Sequence, residues 1–335
     1  MRNKLRSYYS ELLTATVSHI IHIMVIISSK RCNLSTTVWL LHLVAFIFKK
    51  YLSSYYSVVN AKSLAQKMLL YKSNDFSRKF IINKLLSQYI KDFVSTMSWS
   101  HTLCFLKKNC KVRLRDTVRP GKLLLCTHTG DYWLLILSLA RLYTGKNCDF
   151  IVPIFQKITP KNQMMYNKIN IPGVNVLFIN IHDNGAILRI SKMLKDPKCV
   201  VAIFYDLPCY VRNVYNGAVN PVTFLGRQGH MTTGILAIAR RLKIKTNVVT
   251  CAFSFEKHAY LTEVFDFTYP ENLSEQSEQS VVVYLEEYLY HHPWQWHFVG
   301  FIDAYFHYPY SALISFQNRS SEQYNRLQNK YLRLG

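Results

Sequence analysis

The clearest chemical signal lies in the segment LLLCTHTGDYWLL, residues 123–135. An apolar run typical of a buried strand ends at a His-Thr-Gly-Asp turn, and an apolar helical pattern follows the turn. Open α/β sheets bind ligands outside the carboxyl ends of their strands, and His128 stands at such an end. Imidazole titrates near neutral pH and is the side chain most often used as a general base. We therefore predict that His128 is a catalytic base.

Asp131 is the nearest carboxylate in sequence, three residues after His128. At the start of a helix this spacing can place two side chains on one face. A carboxylate there would orient the imidazole and stabilise the imidazolium formed when the ring takes a proton. The alternative is that Asp131 caps the helix predicted over 132–143 and that His128 is a structural residue. Gly130 allows a tight turn or the close approach of a substrate.

A second candidate segment runs from Asp206, which follows another apolar strand pattern, to Arg227. Arg212 lies in the loop between them, and Gly226 and Arg227 precede a helical pattern at 230–242. A guanidinium makes a forked, permanently charged contact that suits a phosphate or a carboxylate. The alternative for Arg227, which the residues alone favour, is a surface arginine in a turn.

A third segment, HHPWQWHF at 291–298, is rich in tryptophan and histidine. Such a segment can form a pocket wall or an interfacial belt. The histidines lack metal-ligand spacing with acidic partners, so we assign no metal and no cofactor. Ser100 and Ser254 have no G-x-S-x-G motif around them, which disfavours a serine hydrolase.

The elements that would position these residues form an alternating pattern from about residue 111. Apolar runs bounded by Pro or Gly predict strands at 122–128, 149–154, 174–179, 199–205 and 247–255. Helical patterns fall between and after them, at 132–143, 162–169, 183–195, 230–242 and 278–291. This alternation predicts an α/β fold with a mostly parallel central sheet flanked by helices.

The N-terminal region is apolar and helical. Residues 12–28 form a run of 17 without formal charge, whereas a membrane span needs ~20 apolar residues with a lower limit of about 17. We expect a membrane anchor there, with a helix lying in the interface as the main alternative and a core helix as another. A signal peptide is disfavoured because no small-x-small cleavage site follows. Lys30 and Arg31 suggest that the C-terminal side is cytoplasmic.

Residues 37–48 are too short to span a membrane alone, and 60–98 have the spacing of two amphipathic helices with basic outer faces. These faces suit lipid binding and simple solvation equally well. The predicted organisation is N-terminal anchor or interfacial helices at 1–50, a basic helical segment at 51–110, the α/β domain at 111–305 and a C-terminal tail at 306–335.

The formal net charge of +22 is uneven. Residues 1–120 contain 20 Lys and Arg against 4 acidic residues, whereas 121–335 contain 21 against 15. A basic N-terminal region attracts polyanions such as nucleic acid, anionic lipid headgroups or an acidic carrier protein. Half of the residues are hydrophobic, which favours the membrane surface. No RNA-binding or zinc-finger signature is present, so nucleic-acid binding rests on charge alone and is not expected.

Taken in order, these segments resemble the bacterial lipid A biosynthesis acyltransferase family (lauroyl/myristoyl-type), within the lysophospholipid acyltransferase superfamily. The resemblance covers roughly 60–300. The family motif His-x-Gly-Asn-Trp-Glu corresponds to HTGDYW at 128–133, and a Pro-Asp-like motif corresponds to IFYDLP at 203–208. A Phe-Gly motif corresponds to FLGR at 224–227, and a Pro-Glu-Gln-Trp-x-Trp-like motif corresponds to PWQW at 293–296.

The resemblance implies a membrane-bound transferase on the cytoplasmic side of a bacterial inner membrane. Such an enzyme moves a fatty acyl group from acyl carrier protein or acyl-CoA to a hydroxyl or amine of a lipid-like or glycolipid-like acceptor, with no other cofactor. It implies that His128 is the base and that donors near the helix start after Gly130 stabilise the oxyanion. The expected partners are the acyl thioester and membrane lipids. The expected substrate-binding residues are Gly130, Trp133, Asp206, Arg212, Gly226 and Arg227.

One departure from the family pattern affects the predicted mechanism. The family's acidic partner lies five residues after the histidine, where this sequence has Trp133. We expect Asp131 to take over the orienting role. The alternative is a degenerate, non-catalytic relative that binds lipid with the same fold.

Overall fold

The computed structural model describes residues 2–29, 33–69, 75–115, 118–155, 158–181, 183–207, 210–211, 214–215, 219–270 and 277–306. Arg212 and nearly all of the predicted C-terminal tail lie outside these residues. The chain begins with six helices and continues into an α/β unit. The six helices are α1 (Arg2–Ser29), α2 (Leu34–Ile47), α3 (Lys49–Tyr55), α4 (Val58–Leu69), α5 (Phe76–Thr96) and α6 (Trp99–Asn109).

Seven strands form the central sheet in the order β1-β11-β10-β2-β5-β3-β4. They are β1 (Cys110–Leu114), β2 (Leu123–Cys126), β3 (Cys148–Ile154), β4 (Val174–Asn180), β5 (Cys199–Phe204), β10 (Thr246–Ser254) and β11 (Ala259–Phe267). All neighbouring pairs are parallel except β10 and β11. The α/β fold with a mostly parallel sheet is therefore confirmed.

Five helices follow or separate these strands, and each strand of the sheet centre is buried on both faces. The helices are α7 (Tyr132–Arg141), α8 (Pro160–Tyr166), α9 (Ala186–Lys195), α10 (Gly234–Arg241) and α11 (Ser277–His291). All four residues of β2 are buried, which is why its sequence is a continuous apolar run. Strand β11, whose residues alternate between buried and accessible positions, was not predicted.

A hairpin of β8 (Val219–Phe224) and β9 (Arg227–Thr232) replaces the loop predicted before α10. Leu225 and Gly226 form its turn, and both have positive φ angles, of 51° and 72°. Two consecutive positive φ angles are typical of the type I′ turn that joins antiparallel strands. The helix predicted from residue 230 therefore begins only at Gly234. A further short pair, β6 (Tyr210–Val211) and β7 (Val214–Tyr215), precedes this hairpin.

Helix α5 joins the helical layer to the α/β unit. It packs against α1, α2 and α4 on one side and against a 3₁₀ helix at Pro293–Gln295 on the other. Its buried side includes Phe80, Leu85, Tyr89 and Phe93 at helical spacing. A second 3₁₀ helix, Val299–Tyr305, packs on α4. The first helix contains one stretch, Tyr8–Ser28, that is long and apolar enough to cross a membrane, a property that core helices and signal sequences share.

Candidate active site

His128 and Asp206 lie at equivalent positions beyond two neighbouring parallel strands. Cys126 at the end of β2 is the register partner of Phe204 at the end of β5. The chain runs two residues further from each, so the two side chains meet at the carboxyl edge of the sheet. The Nδ1 atom of His128 lies 2.7 Å from Oδ1 of Asp206. The backbone N–H of His128 also donates to both carboxylate oxygens, at 3.0 and 2.8 Å.

The Asp206 carboxylate is fully buried and surrounded by donors. Besides the two N–H groups of His128, the indole Nε1 of Trp296 donates to Oδ2 at 2.9 Å. The hydroxyl of Tyr305 donates to the backbone carbonyl of Asp206 at 2.6 Å. A buried carboxylate is stable only when such bonds replace its hydration. The position and orientation of Asp206 are therefore fixed by contacts from β2 and from residues 296–305.

These contacts determine which ring nitrogen of His128 is available for chemistry. A carboxylate only accepts hydrogen bonds, so Nδ1 carries the proton that lies between the two groups and Nε2 keeps a lone pair. The ring stands between Phe204, with centroids 4.3 Å apart, and Phe298, at 4.9 Å. Its side chain is one-fifth exposed. His128 is thus a rigidly held imidazole with an acceptor nitrogen and access to solvent.

The turn after His128 is held by the PWQW segment. His297 donates its backbone N–H to the carbonyl of His128 at 2.9 Å, and Gly130 donates to the carbonyl of Gln295 at 3.2 Å. The Gln295 side chain bonds both the N–H and the carbonyl of Phe253 in β10, at 2.6 and 2.8 Å. This segment therefore joins the turn after His128 to the sheet and supplies Trp296 to Asp206, two roles that sequence reasoning missed.

Gly130 was predicted to contact the substrate, and the structure gives a conformational reason for glycine at this position. Its φ is +62°, in the region that side chains other than glycine disfavour. A Cβ atom there would lie 2.7 Å from the carbonyl oxygen of Cys251. Because its N–H is bonded to Gln295, Gly130 offers no free amide to an oxyanion.

Asp131 does not orient His128, contrary to the prediction. Its Oδ1 accepts from the backbone N–H of Leu134 at 3.0 Å, so Asp131 is the N-cap of α7. The N-cap side chain turns back over the first helical turn, whereas the ring of His128 points to the neighbouring strand. The acid that pairs with His128 is Asp206, which was predicted to bind substrate. Burial raises the pKa of Asp131 to about 7.

Trp133, which occupies the family's acidic position, is 5% exposed and belongs to an aromatic cluster. Its ring centroid lies 5.7 Å from that of Tyr166 and 5.8 Å from that of Phe178. A groove of about 320 Å³ runs beside this cluster along α8 and β4, and His128 is not among the residues that line it. Trp133 therefore packs in the protein interior, and the described contacts do not place it against His128.

The two remaining predicted residues lie in the β8–β9 hairpin. Gly226 forms the tip of the β8–β9 hairpin, and the guanidinium carbon of Arg227 lies 4.5 Å from the ring centroid of Phe306. The described contacts do not join either residue to His128. Among the described residues, no group of three His, Cys, Asp or Glu side chains is arranged to hold a metal ion.

The buried cap predicts a pH-dependent stability that is independent of any activity. The folded-state pKa of Asp131 lies above its ordinary value of 3.8, so its protonated form favours folding. This contribution is complete below about pH 4 and is lost as the pH rises through about 7. Asp131→Asn keeps a capping oxygen and removes the ionisation. The wild type should lose stability relative to this variant as the pH rises from 4 to 8. The measurement is the free energy of unfolding of both proteins by denaturant at each pH. If the unfolding free energies of the two proteins changed with pH in parallel, Asp131 would not be the buried group that titrates.

No protein-family model matches this sequence, and a search of the curated proteins likewise gives no match.

Proposed function

We propose that this protein is an acyltransferase that moves a fatty acyl group from a thioester donor to a hydroxyl or amine of a membrane acceptor. The observation that carries the proposal is the dyad: Nδ1 of His128 lies 2.7 Å from a fully buried carboxylate. A histidine held in this way presents Nε2 as a base, and the nearby carboxylate stabilises the imidazolium. The acid missing at position 133 is thus supplied by Asp206 from the neighbouring strand.

The proposed reaction needs no covalent intermediate on the protein. Nε2 of His128 takes the proton of the acceptor hydroxyl while its oxygen attacks the thioester carbonyl carbon. The tetrahedral intermediate collapses, the carbon–sulfur bond breaks, and the imidazolium returns its proton to the leaving thiolate. Among the described residues, the ring of His128 has no hydroxyl or thiol hydrogen-bond partner. The nearest hydroxyls in sequence, of Thr127 and Thr129, bond each other at 2.6 Å. Direct transfer is therefore favoured over a serine-type mechanism.

The alternative function is that of a non-catalytic relative that binds lipid. It was supported by Trp133, which stands where the family has its acidic residue. That support weakens once Asp206 is recognised as the acid. A purely structural histidine would not need its ring to stay accessible, whereas the side chain of His128 remains one-fifth exposed. The dyad is therefore better explained by proton transfer.

A membrane location suits the surface of the first two helices. Large apolar side chains on α1 and α2 are exposed, including Ile26, Ile27, Trp39, Phe46 and Ile47. Two polar side chains of α1 bond α5: Gln88 donates to Ser18 at 2.9 Å, and His22 pairs with Asp92 at 2.8 Å. Because α1 is bonded to α5 in this way, we favour a position of α1 in the plane of the membrane surface over an isolated membrane span. We place this surface on the cytoplasmic face of a bacterial inner membrane, as the resemblance implies.

The donor in the proposal is acyl carrier protein or acyl-CoA. Both are polyanionic, and the net charge of +22 would speed their encounter with the protein. Lipids of the membrane supply the acceptor.

The proposed chemistry is tested by thioester consumption with dodecanoyl-CoA in membranes that contain the full chain. His128→Ala should abolish turnover, and Asp206→Asn should reduce it on the order of 10³–10⁴-fold, as loss of the acid does in the serine protease triad. Asp131→Asn is the matched control, because it removes a carboxylate equally close in sequence but keeps the cap. We expect its turnover to stay within about threefold of the wild type. If all three variants matched the wild type, the dyad would have no part in the reaction.

The proposed membrane-binding surface of α1 and α2 is tested by vesicle flotation. Changing Ile27 and Phe46 together to Ser should lower the bound fraction on anionic vesicles about tenfold or more, because each exposed apolar side chain contributes on the order of 1 kcal/mol to insertion. Val283→Ser with Tyr290→Ser provides the control, since these residues are comparably exposed on α11. Equal binding by both double variants would refute the assignment of this surface.

A further inference from the structure

Strand β4 lies at one edge of the central sheet, and none of the described strands pairs with its outer side. Its sequence, VNVLFIN, contains no charged residue, no proline and no glycine. Proteins usually protect an exposed edge from pairing with another chain by placing lysine, proline or a bulge there. The register of β4 with β3 also runs through all seven of its residues without a bulge. This edge is therefore able to accept a further strand.

The opposite edge of the sheet, β1, differs in its charge. Its sequence, CKVRL, places Lys111 and Arg113 on either side of Val112, and both basic residues are exposed. If two copies of β1 paired in an antiparallel register centred on Val112, Lys111 of each copy would stand opposite Arg113 of the other. Like charges that face each other directly destabilise a strand pair. The pairing of β1 with itself is therefore disfavoured, whereas β4 has no charge to oppose its own pairing.

The pairing of β4 with β3 shows which backbone groups of β4 point outward. The carbonyl of Gly173 accepts from the N–H of Cys148, and the N–H of Ile181 donates to the carbonyl of Ile154, both at 3.0 Å. In a parallel pair, every second residue of a strand bonds the same neighbouring strand. The odd-numbered residues from 173 to 181 therefore bond β3, and the even-numbered residues between them turn their N–H and C=O groups outward.

Two of the outward-turned residues leave their backbone groups without a partner among the described residues. The N–H of Val174 and the carbonyl of Asn180 are bonded within the adjacent turns, at 2.9 and 3.3 Å. The N–H and C=O groups of Val176 and Phe178 lie between them and bond no described strand or turn.

The groove of about 320 Å³ beside α8 follows this same edge. Residues 174–178 of β4 all line it, together with residues between 163 and 169. Because successive side chains of a strand point to opposite faces, a groove lined by consecutive residues runs along the edge of the strand rather than over one face. The space next to Val176 and Phe178 is therefore open.

We propose that β4 pairs in antiparallel fashion with β4 of a second copy of this chain, in the register centred on Leu177. In this register Val176 of each copy stands opposite Phe178 of the other. Both residues turn their backbone groups outward, so each pair exchanges two N–H to C=O bonds. A β-branched side chain opposite an aromatic ring is a favourable cross-strand pair, and no charge faces another charge. The edge is thus complementary to itself, as a two-fold interface requires.

The symmetry of this dimer is compatible with a single membrane surface. The two-fold axis between antiparallel neighbours is perpendicular to the sheet, so the same face of both sheets lies on the same side. Helix α7 packs on β1, β4 and β11, α5 packs on α7, and α1 and α2 pack on α5. The apolar helices of both copies therefore lie on one side of the continuous sheet. The dimer does not depend on the acyltransferase activity.

Cysteine cross-linking of the full chain in detergent tests the register. The two Leu177 residues form a non-hydrogen-bonded pair with Cα atoms about 4.5 Å apart, within the range of about 4.4–6.8 Å that a disulfide spans. Leu177→Cys should therefore run as a dimer on a non-reducing gel after mild oxidation with copper phenanthroline. The wild type, treated in the same way, measures the reaction of the native cysteines.

Asn175→Cys is the matched control on the same strand. Its two copies would be offset by four residues, or roughly 13 Å, which is too far for a disulfide. Asn175 of one copy instead faces Ile179 of the other. A mixture of Asn175→Cys and Ile179→Cys chains should therefore cross-link, whereas neither variant should cross-link alone.

Sedimentation of the full chain in detergent tests the dimer without any cross-link. The wild type should sediment as a dimer. Leu177→Lys should raise the dimer dissociation constant about tenfold or more, because two ammonium groups would stand directly opposite each other. Leu114→Lys, at an exposed position of β1, should leave the dimer intact. Thermal melting of both variants distinguishes loss of the dimer from loss of the fold.

Three outcomes overturn the proposal. The first is a wild type that stays monomeric at the concentrations used for cross-linking, whether β4 is then bare or covered by another protein. The second is cross-linking of Asn175→Cys as efficient as that of Leu177→Cys, which would show random collision. The third is a dimer that persists in a folded Leu177→Lys variant, which would place the interface on another surface.

Discussion

The buried carboxylate of Asp206 is the constraint on which the rest of the site depends. A charge with no exposure to solvent requires donors on several sides, and each donor comes from a different part of the chain. His128 reaches it from the end of β2, and Trp296 reaches it from the segment after α11. Tyr305 holds the backbone of the same residue. The residues that bond the carboxylate also bring together the carboxyl edge of the sheet, so the same bonds stabilise the fold and hold the proposed base.

The local patterns of the sequence predicted the strands β2 and β5 and the position of His128, because these features follow from short apolar runs and a turn. The partner of His128 could not be found in the same way. Asp206 is 78 residues away in sequence, and only the parallel register of β2 with β5 brings the two together. His128 and Asp206 each lie two residues beyond the end of their strand. Comparing such positions in neighbouring strands would have found the pair, but the comparison requires knowledge of the strand order. That order places β10 and β5 on the two sides of β2, and it does not follow the sequence.

Other predicted residues show the same limit. The sequence position of Asp131 fitted both a catalytic and a capping role. It caps α7 because the first amides of that helix are close to its carboxylate, whereas His128 faces another strand. Gly226 and Arg227 matched a family motif, yet two consecutive positive φ angles make that motif a hairpin turn. The PWQW segment had no pattern that could be interpreted alone. Its function lies in hydrogen bonds to two distant segments, around Gly130 and Phe253.

Helix α5 connects the two halves of the proposed function. One side bonds the apolar helix α1 through Gln88 and Asp92, and another side packs on the 3₁₀ helix at Pro293–Gln295, which directly precedes Trp296. The apolar surface of the first two helices and the segment that bonds Asp206 are therefore joined through one helix.

In the proposed reaction, Asp206 fixes the tautomer of His128 so that Nε2 is the base. Imidazole ¹⁵N NMR of the histidine-labelled chain, with the His128 signals assigned by His128→Gln, tests this directly. We expect a protonated Nδ1 and an unprotonated Nε2 in the neutral ring, with this preference lost in Asp206→Asn. A neutral ring protonated at Nε2, or a spectrum unchanged by Asp206→Asn, would show that Asp206 does not set the tautomer.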